Sequence, residues 1–448
     1  MAEHLRLKAG DVAQLVGDKV TGPVRTSLDI CAHCGICADS CHLYAGTGDV
    51  EQIPAARAQQ LEKVYKRYYS RLGRLAPRLV GAEDLNEETL DRLQRMAYHC
   101  TLCRRCALYC PFGIDNATTV SAIRSLLAEA GRVPTALQEH TDTAYKTGNT
   151  LAISDEQFQD RIEWFEEELQ DAVDDNEATI PVDKQGARVL FVPTPIQIMR
   201  FPSVIISTAK IFYAVGEDWT ISSRRFDATN FGLFSGETDK RNEMAQRLVD
   251  EMEHLGAQVL VLSECGHSYW AMKHAAESWL GGRFPFQVKN IVEVVAEYIA
   301  EGRIKLDPSV NVGRITYHDP CNLSRKGGLL DEPRTCLEAA CREFVEMAPS
   351  GAEAWCCGGG GGVITIPEYD EVRLAAGGPK AQQVRESGAE VVATACDNCK
   401  LQLMELSEHY GLDVSVVGVV DLVAEALVLD KQEEEGRSDG GNQRLQYT

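Results

Sequence analysis

The chain has 448 residues, 44% of them hydrophobic, which fits a globular protein of two or three domains with real cores and excludes a largely disordered one. Its formal net charge of -22 excludes a general nucleic-acid binder, which needs a basic face to displace phosphate counterions. The opening MAEHLRLKAG has no apolar signal-peptide core, and the longest apolar candidate, FPSVIISTAKIFYAVG, carries Lys210 and is too short to span a bilayer. A cytoplasmic location with no transmembrane segment of its own is therefore expected. Sixteen cysteines in such a chain point to metal binding or catalysis, because a reducing compartment keeps thiols free.

Residues 1–25 read as a lead-in segment. Between 26 and 125 two cysteine runs bracket an Arg- and Leu-rich stretch, RAQQLEKVYKRYYSRLGRLAPRL, whose apolar spacing predicts helix. The first run, CAHCGICADSC, holds Cys31, Cys34, Cys37 and Cys41; the second, CTLCRRCALYC, holds Cys100, Cys103, Cys106 and Cys110. C-x2-C-x2-C-x3-C is the bacterial-ferredoxin spacing for a 4Fe-4S cubane, in which the fourth cysteine reaches across to the other cluster. Cys31, Cys34, Cys37 and Cys110 are thus expected to hold one cubane, and Cys100, Cys103, Cys106 and Cys41 a second. Zinc ribbons use paired C-x2-C knuckles instead of such triplets. Cys110 is followed by Pro111, as the spacing pattern wants, whereas Cys41 is followed by His42. Two cubanes make a wire that carries one electron at a time.

Residues 126–185 read as a helical acidic connector ending in EWFEEELQDAVDDNEA, a solvated face. At GARVLFVPTP the texture changes to a buried strand, and the region beyond it repeats itself. HLGAQVLVLSECGHSYW echoes ESGAEVVATACDNCKLQ, VKNIVEVVAEYI echoes VVGVVDLVAEAL, and ARVLFVPTP echoes GRITYHDPC, which sets Pro195 opposite Cys321. The pattern predicts a duplicated α/β unit, residues 186–305 and 306–430, followed by a loose polar tail over 431–448. The fold class is therefore α/β and mainly-α: a helical two-cluster module, then the duplicated unit with pseudo-twofold symmetry.

The later cysteines fall on three loops of the second repeat: Cys321 in YHDPCNLSR, Cys356 and Cys357 in WCCGGGGG, and Cys396 and Cys399 in ACDNC. Adjacent cysteines do not chelate one iron comfortably, and five thiolates are too many for a plain cubane. The five glycines after Cys357 lack the Lys and Ser/Thr of a phosphate loop, and no dinucleotide fingerprint is present, so any flavin belongs on a partner. Cys336 and Cys341, in RTCLEAACREF, read as core residues.

These motifs resemble those of the CCG-domain iron-sulfur proteins, the family of the heterodisulfide reductase catalytic subunits, over residues from about 26 to 430. The resemblance implies that Cys321, Cys356, Cys357, Cys396 and Cys399 hold one noncubane 4Fe-4S cluster. The first repeat departs from the pattern: it has Pro195 for Cys321, NFGLFSGE for WCCGGGG, and keeps only Cys265 in ECGHSYW, so it is expected to be clusterless. Cys265 is then either a relic packed under a helix or, with His267, a catalytic pair facing the remaining cluster, the histidine activating the thiol or donating a proton.

Within that family the degenerate first repeat and the ending ACDNC look most like the catalytic subunits of sulfite-reductase-linked transmembrane complexes. That likeness implies a disulfide oxidoreductase on the inner face of the cell membrane, partnered by a quinone-linked cytochrome b-type subunit. Its implied substrate is a disulfide or trisulfide on a small sulfur-carrier protein. The alternatives are an electron-transfer subunit of a flavin-dependent glycolate, lactate or glycerol-3-phosphate dehydrogenase, and a docking scaffold merely stiffened by its clusters.

Overall fold

A computed structural model describes residues 9–429; the tail expected over 431–448 and the first eight residues lie outside the described residues. The N-terminal module is a helical bundle built on Ala9–Lys19, Gly22–Ile30, Pro54–Tyr69, Glu87–Tyr98 and Asn116–Glu129. Local chemistry sets these ends. Asn86 accepts from the Thr89 amide at 3.0 Å ahead of Glu87 and Glu88, which suit the positive end of the helix, and Pro54 opens its helix where no amide partner is needed. The segment read as a lead-in contributes to the core of this bundle: Leu15, Val16, Val20 and Val24 pack with Leu28, Leu61, Val64, Leu93, Val120 and Ile123.

The acidic stretch is likewise more than a connector. Helix Asp155–Val173 starts at a capping box of Ser154 and Gln157 and buries Phe158, Ile162, Phe165 and Leu169, spaced to form one stripe. That stripe joins the core of the first α/β unit, and the carboxylates occupy the outer face.

The two units carry one parallel sheet each. The first orders β1 (Val189–Val192), β2 (Trp219–Thr220), β3 (Val259–Leu262) and β4 (Gln287–Asn290) as β2-β1-β3-β4. The second orders β5 (Asn311–Tyr317), β6 (Cys341–Val345), β7 (Val391–Ala393) and β8 (Ser415–Val417) as β6-β5-β7-β8, the same arrangement. All pairings are parallel, which explains why VLFV and VLVL are wholly apolar runs buried on both faces. One hydrophobic core continues through both units, from Leu190, Val261 and Val295 to Ile315 and Val423, and it includes Cys336 and Cys341.

The units also exchange polar contacts close to the strand ends. Glu264 of the first accepts from the Val419 and Val420 amides of the second at 2.7 and 3.0 Å, capping helix Val419–Ala426. Asp397 of the second accepts from the Thr194 hydroxyl of the first at 2.9 Å. The helical module is fastened onto this body by Arg124, fully buried, which donates to the carbonyls of Ala97 and Cys100 in its own module and of Phe234 and Gly361 beyond it.

Candidate functional site

The eight early cysteines sort into two small cavities. Cys31, Cys34, Cys37 and Cys110 line one, beside Pro111 and Ala55; Cys41, Cys100, Cys103 and Cys106 line the other, beside His42 and Arg57. Each triplet thus meets the trailing cysteine of the other run. The two loops wind alike: His33 and Gly35 have φ of 50° and 85°, and Leu102 and Arg104, at the same offsets from their first cysteine, have 56° and 63°. Non-glycine residues avoid this left-handed region, so its use at matching positions marks loops held to a required shape. Arg104 is secured there by Asp115 at 2.6 Å.

The second cavity carries its own positive charge. Arg57 is buried and donates to the Met96 carbonyl and Gln52 Oε1 at 2.9 and 3.1 Å. Burial pushes the Cys41 thiol up, but Arg57, His42 and the amides of Tyr44 and Leu43 together outweigh it and leave Cys41 below the usual range. Cys106, whose burial is the larger influence, is pushed up. No motif announces Arg57 in the sequence, because a single arginine within a helix carries no local signal.

The five late cysteines share a third cavity of about 210 Å³, whose lining also includes Cys265, His267, Pro195, Phe231 and Phe234. Cys321 follows β5, and Cys396 and Cys399 follow β7 at the start of helix Asp397–Tyr410, so both loops leave the carboxyl ends of adjacent strands. The third loop brings Cys357 Sγ to 3.4 Å from Cys399 Sγ. Hydrogen bonds from Cys103, Cys321 and Cys357 hold the Cys356 thiol well below its usual range, and Cys321 and Cys357 are raised in return. None of the sixteen cysteines is paired in a disulfide. Sets of four and five convergent sulfurs suit iron-sulfur groups and suit hard cations poorly, and Asp397, which also lines the third cavity, accepts from the Thr194 hydroxyl.

The glycine run after Cys357 has a steric purpose. A side chain on Gly361, whose φ is +66°, would place Cβ 2.9 Å from the Thr101 carbonyl carbon, so only glycine lets this loop lie against the second early cavity. The two cavities accordingly adjoin, and Cys103, Cys321 and Cys356 pack together. The Thr101 hydroxyl lies 3.5 Å from Cys356 Sγ, and Arg325 donates to the Cys103 carbonyl at 2.8 Å.

Comparison with known proteins agrees with this division. The family described as 4Fe-4S dicluster domain matches residues 27–114, and that described as Cysteine-rich domain, CCG, matches residues 315–404. The chain is 32% identical to the Hdr-like menaquinol oxidoreductase iron-sulfur subunit 2 of Archaeoglobus fulgidus, over 90% of this chain and 80% of that one. The chain belongs to the Hdr-like iron-sulfur subunit family.

A second Hdr-like subunit, from Archaeoglobus profundus, is 30% identical over 90% of this chain and 80% of its own length. A subunit of the dihydromethanophenazine:CoB–CoM heterodisulfide reductase of Methanosarcina barkeri is 26% identical over 90% of this chain and 94% of its own. This Hdr-like chain is thus an iron-sulfur oxidoreductase subunit of the electron-transfer type, with a 4Fe-4S dicluster module and a CCG domain. No helix among the described residues is long and apolar enough to cross a membrane.

In the first repeat of this Hdr-like subunit, apolar side chains take the places of cysteines. Pro195, Phe231 and Phe234 line the shared cavity. Cys265 and His267 line it too, each held by other partners. Cys265 Sγ accepts from Ser268 Oγ at 3.1 Å, and burial raises the thiol to about 12. His267 Nε2 donates to the Asn230 carbonyl at 3.3 Å, its ring packs 4.0 Å from that of Phe234, and burial pulls it down to about 3. Burial thus raises the thiol and lowers the imidazole, which disfavours the charge-separated thiolate–imidazolium form of this pair.

Proposed function

We propose that this Hdr-like subunit carries electrons from a membrane quinone-linked partner, such as a cytochrome b-type subunit, to a disulfide or trisulfide borne on a small sulfur-carrier protein. In this reading Cys31, Cys34, Cys37 and Cys110 hold one 4Fe-4S cubane, and Cys41, Cys100, Cys103 and Cys106 the other. Cys321, Cys356, Cys357, Cys396 and Cys399 hold a noncubane 4Fe-4S cluster. The observation that carries the reading is the packing of Cys103, from the second early set, against Cys321 and Cys356 of the late set, which leaves no intervening layer of protein between the two sites.

When bound, the clusters supply electrons one at a time, whereas cleaving one S–S bond to two thiols consumes two electrons and two protons. The chain's own residues provide the setting. Phe231, Phe234, Ile196 and Leu401 form apolar walls of the shared cavity that exclude water from the sulfur centre. Cys265 and His267 face the substrate region of the same cavity, the first as a protonated thiol and the second as a neutral ring held by Asn230 and Phe234. With no membrane-spanning helix among the described residues, attachment to the inner face of the cell membrane would run through the partner subunits.

The test is Cys356→Ser. The variant should lose the noncubane EPR signal and disulfide turnover while both cubanes still reduce. Turnover that survives would overturn the proposal. Wild-type protein mixed with reduced dye and a disulfide-bearing carrier should release thiols; electron delivery without thiol release would instead assign the chain to the electron-transfer subunits of flavin-dependent dehydrogenases.

A further inference from the structure

Two fully buried polar side chains behind the five-cysteine cavity have no adequate partner among the described residues. Lys380 lies on the inner face of helix Gly378–Ser387 with 1% of its surface exposed, and among the described residues its Nζ bonds only to Met347 Sδ, at 3.5 Å. A thioether is a weak acceptor and carries no charge. Burial, the largest influence, pulls Lys380 down to about 8, and Asp319, Cys357, Cys356 and Cys399 act against it. Asp319 is already committed: it takes Arg334 Nη1 and Nη2 at 2.9 and 3.0 Å and the Gly351 amide at 2.7 Å.

His318 follows β5 directly, and neither of its ring nitrogens has a hydrogen-bond partner among the described residues although the residue is 1% exposed. Its position is fixed by the sheet, since its amide donates to the Ala393 carbonyl at 2.9 Å and its carbonyl accepts from Thr394 Oγ1 at 3.3 Å. A ring nitrogen of His318 and the sulfurs of Cys357 and Cys399 lie within 4.8 Å of one another. Burying an ammonium without an anion, and an imidazole without a partner, is strongly unfavourable unless something supplies both. An anionic metal–thiolate group on these cysteines would do so.

We propose that Lys380 and His318 are positioning residues for that group: Lys380 is its buried counter-charge, and His318 donates a ring N–H to the sulfur of Cys357 or Cys399. The inference rests on the reading that the five late cysteines hold a cluster. Each added electron makes such a group more negative, so a fixed cation and a donor in a medium of low dielectric favour its reduced state. The pair would thereby draw electrons onward from the cubane beside Cys103 to the site facing the cavity.

The experiment is an anaerobic EPR-monitored redox titration of the full holoprotein as wild type, Lys380→Met and His318→Gln, with the two cubanes as internal controls. Lys380→Met should make reduction of the late cluster at least tenfold less favourable, a negative shift of about 59 mV for a one-electron couple, with the cubanes unmoved. His318→Gln should shift the same couple in the same direction by less. Loss of the late iron alone from Lys380→Met also supports the proposal; if that variant loses all iron, His318→Gln decides. Unchanged midpoints in the variants that retain the late cluster would overturn the inference. Absence of any late-cluster signal in wild type would instead overturn the reading on which it rests.

Discussion

His42 Nε2 lies 2.9 Å from Thr101 Oγ1, and that hydroxyl lies 3.5 Å from Cys356 Sγ, so one short chain of polar atoms links the two adjoining cysteine sites. His42 Nδ1 donates to the Ala376 carbonyl at 3.1 Å and Nε2 to Thr101 Oγ1, which leaves the hydroxyl hydrogen free to point at Cys356 Sγ. Replacing the expected proline after Cys41, this histidine ties the helical module to the second α/β unit. Thr101→Val keeps the shape and deletes the link. It should cost about 1–3 kcal/mol of stability through an unpartnered His42, and slow electron passage between the sites roughly tenfold. Thermal unfolding and rapid-freeze EPR check both; normal values would deny the link a role.

The crossed grouping of the early cysteines makes a pairing prediction. Cys31→Ser and Cys110→Ser should remove the same cubane, and Cys41→Ser and Cys100→Ser the other, each losing about four irons of roughly twelve. Iron analysis with EPR separates the two patterns. If Cys110→Ser instead matched Cys100→Ser, each run would hold its own cluster.

Gly361→Ala tests the close approach of the loops. The added methyl meets the Thr101 carbonyl carbon at 2.9 Å and Cys100 O at 3.0 Å, at a φ of +66° that alanine tolerates poorly. A loss of about 1–3 kcal/mol is expected from overpacking and backbone strain. Gly388→Ala, also at positive φ but with open space around its Cβ, should cost only the strain. Equal melting temperatures for the two variants would show that the loops can separate freely.

His267 sets a pH dependence of stability. Burial, aided by Lys326, holds the folded ring at about 3, below its usual 6.5. The unfolded chain therefore binds a proton that the folded chain refuses. This group's contribution falls as pH drops below 6.5, by about 1.4 kcal/mol per pH unit until the folded ring itself titrates. His267→Asn should flatten the slope measured by denaturant unfolding between about pH 5 and 6.5. An unchanged slope would mean that the ring takes up its proton as readily in the folded protein as in the unfolded chain.

Much of the site was readable along the chain because its chemistry is local. Three cysteines at intervals of three wind around one centre through the backbone of their own loop, as the matching left-handed residues His33 and Gly35, Leu102 and Arg104 show. The strands announced themselves as apolar runs, and the echo between ECGHSYW and ACDNC corresponds to two sheets of the same strand order. Charge misled the reading of Asp155–Val173: the stripe of Phe158, Ile162, Phe165 and Leu169 was present in the sequence, but the carboxylates around it suggested a solvated connector.

What no stretch of sequence could announce are the contacts between distant segments. Arg124 joins its own module to carbonyls 110 and 237 positions away, and its neighbours in sequence give no hint of either. Lys380 and His318 look like ordinary members of a helix and a strand end until folding strips them of water beside Cys357 and Cys399. Spacing along a loop settles which sulfurs can converge. The polarity, charge and separation of the converged sites arise from burial, which depends on what packs against them from elsewhere in the chain.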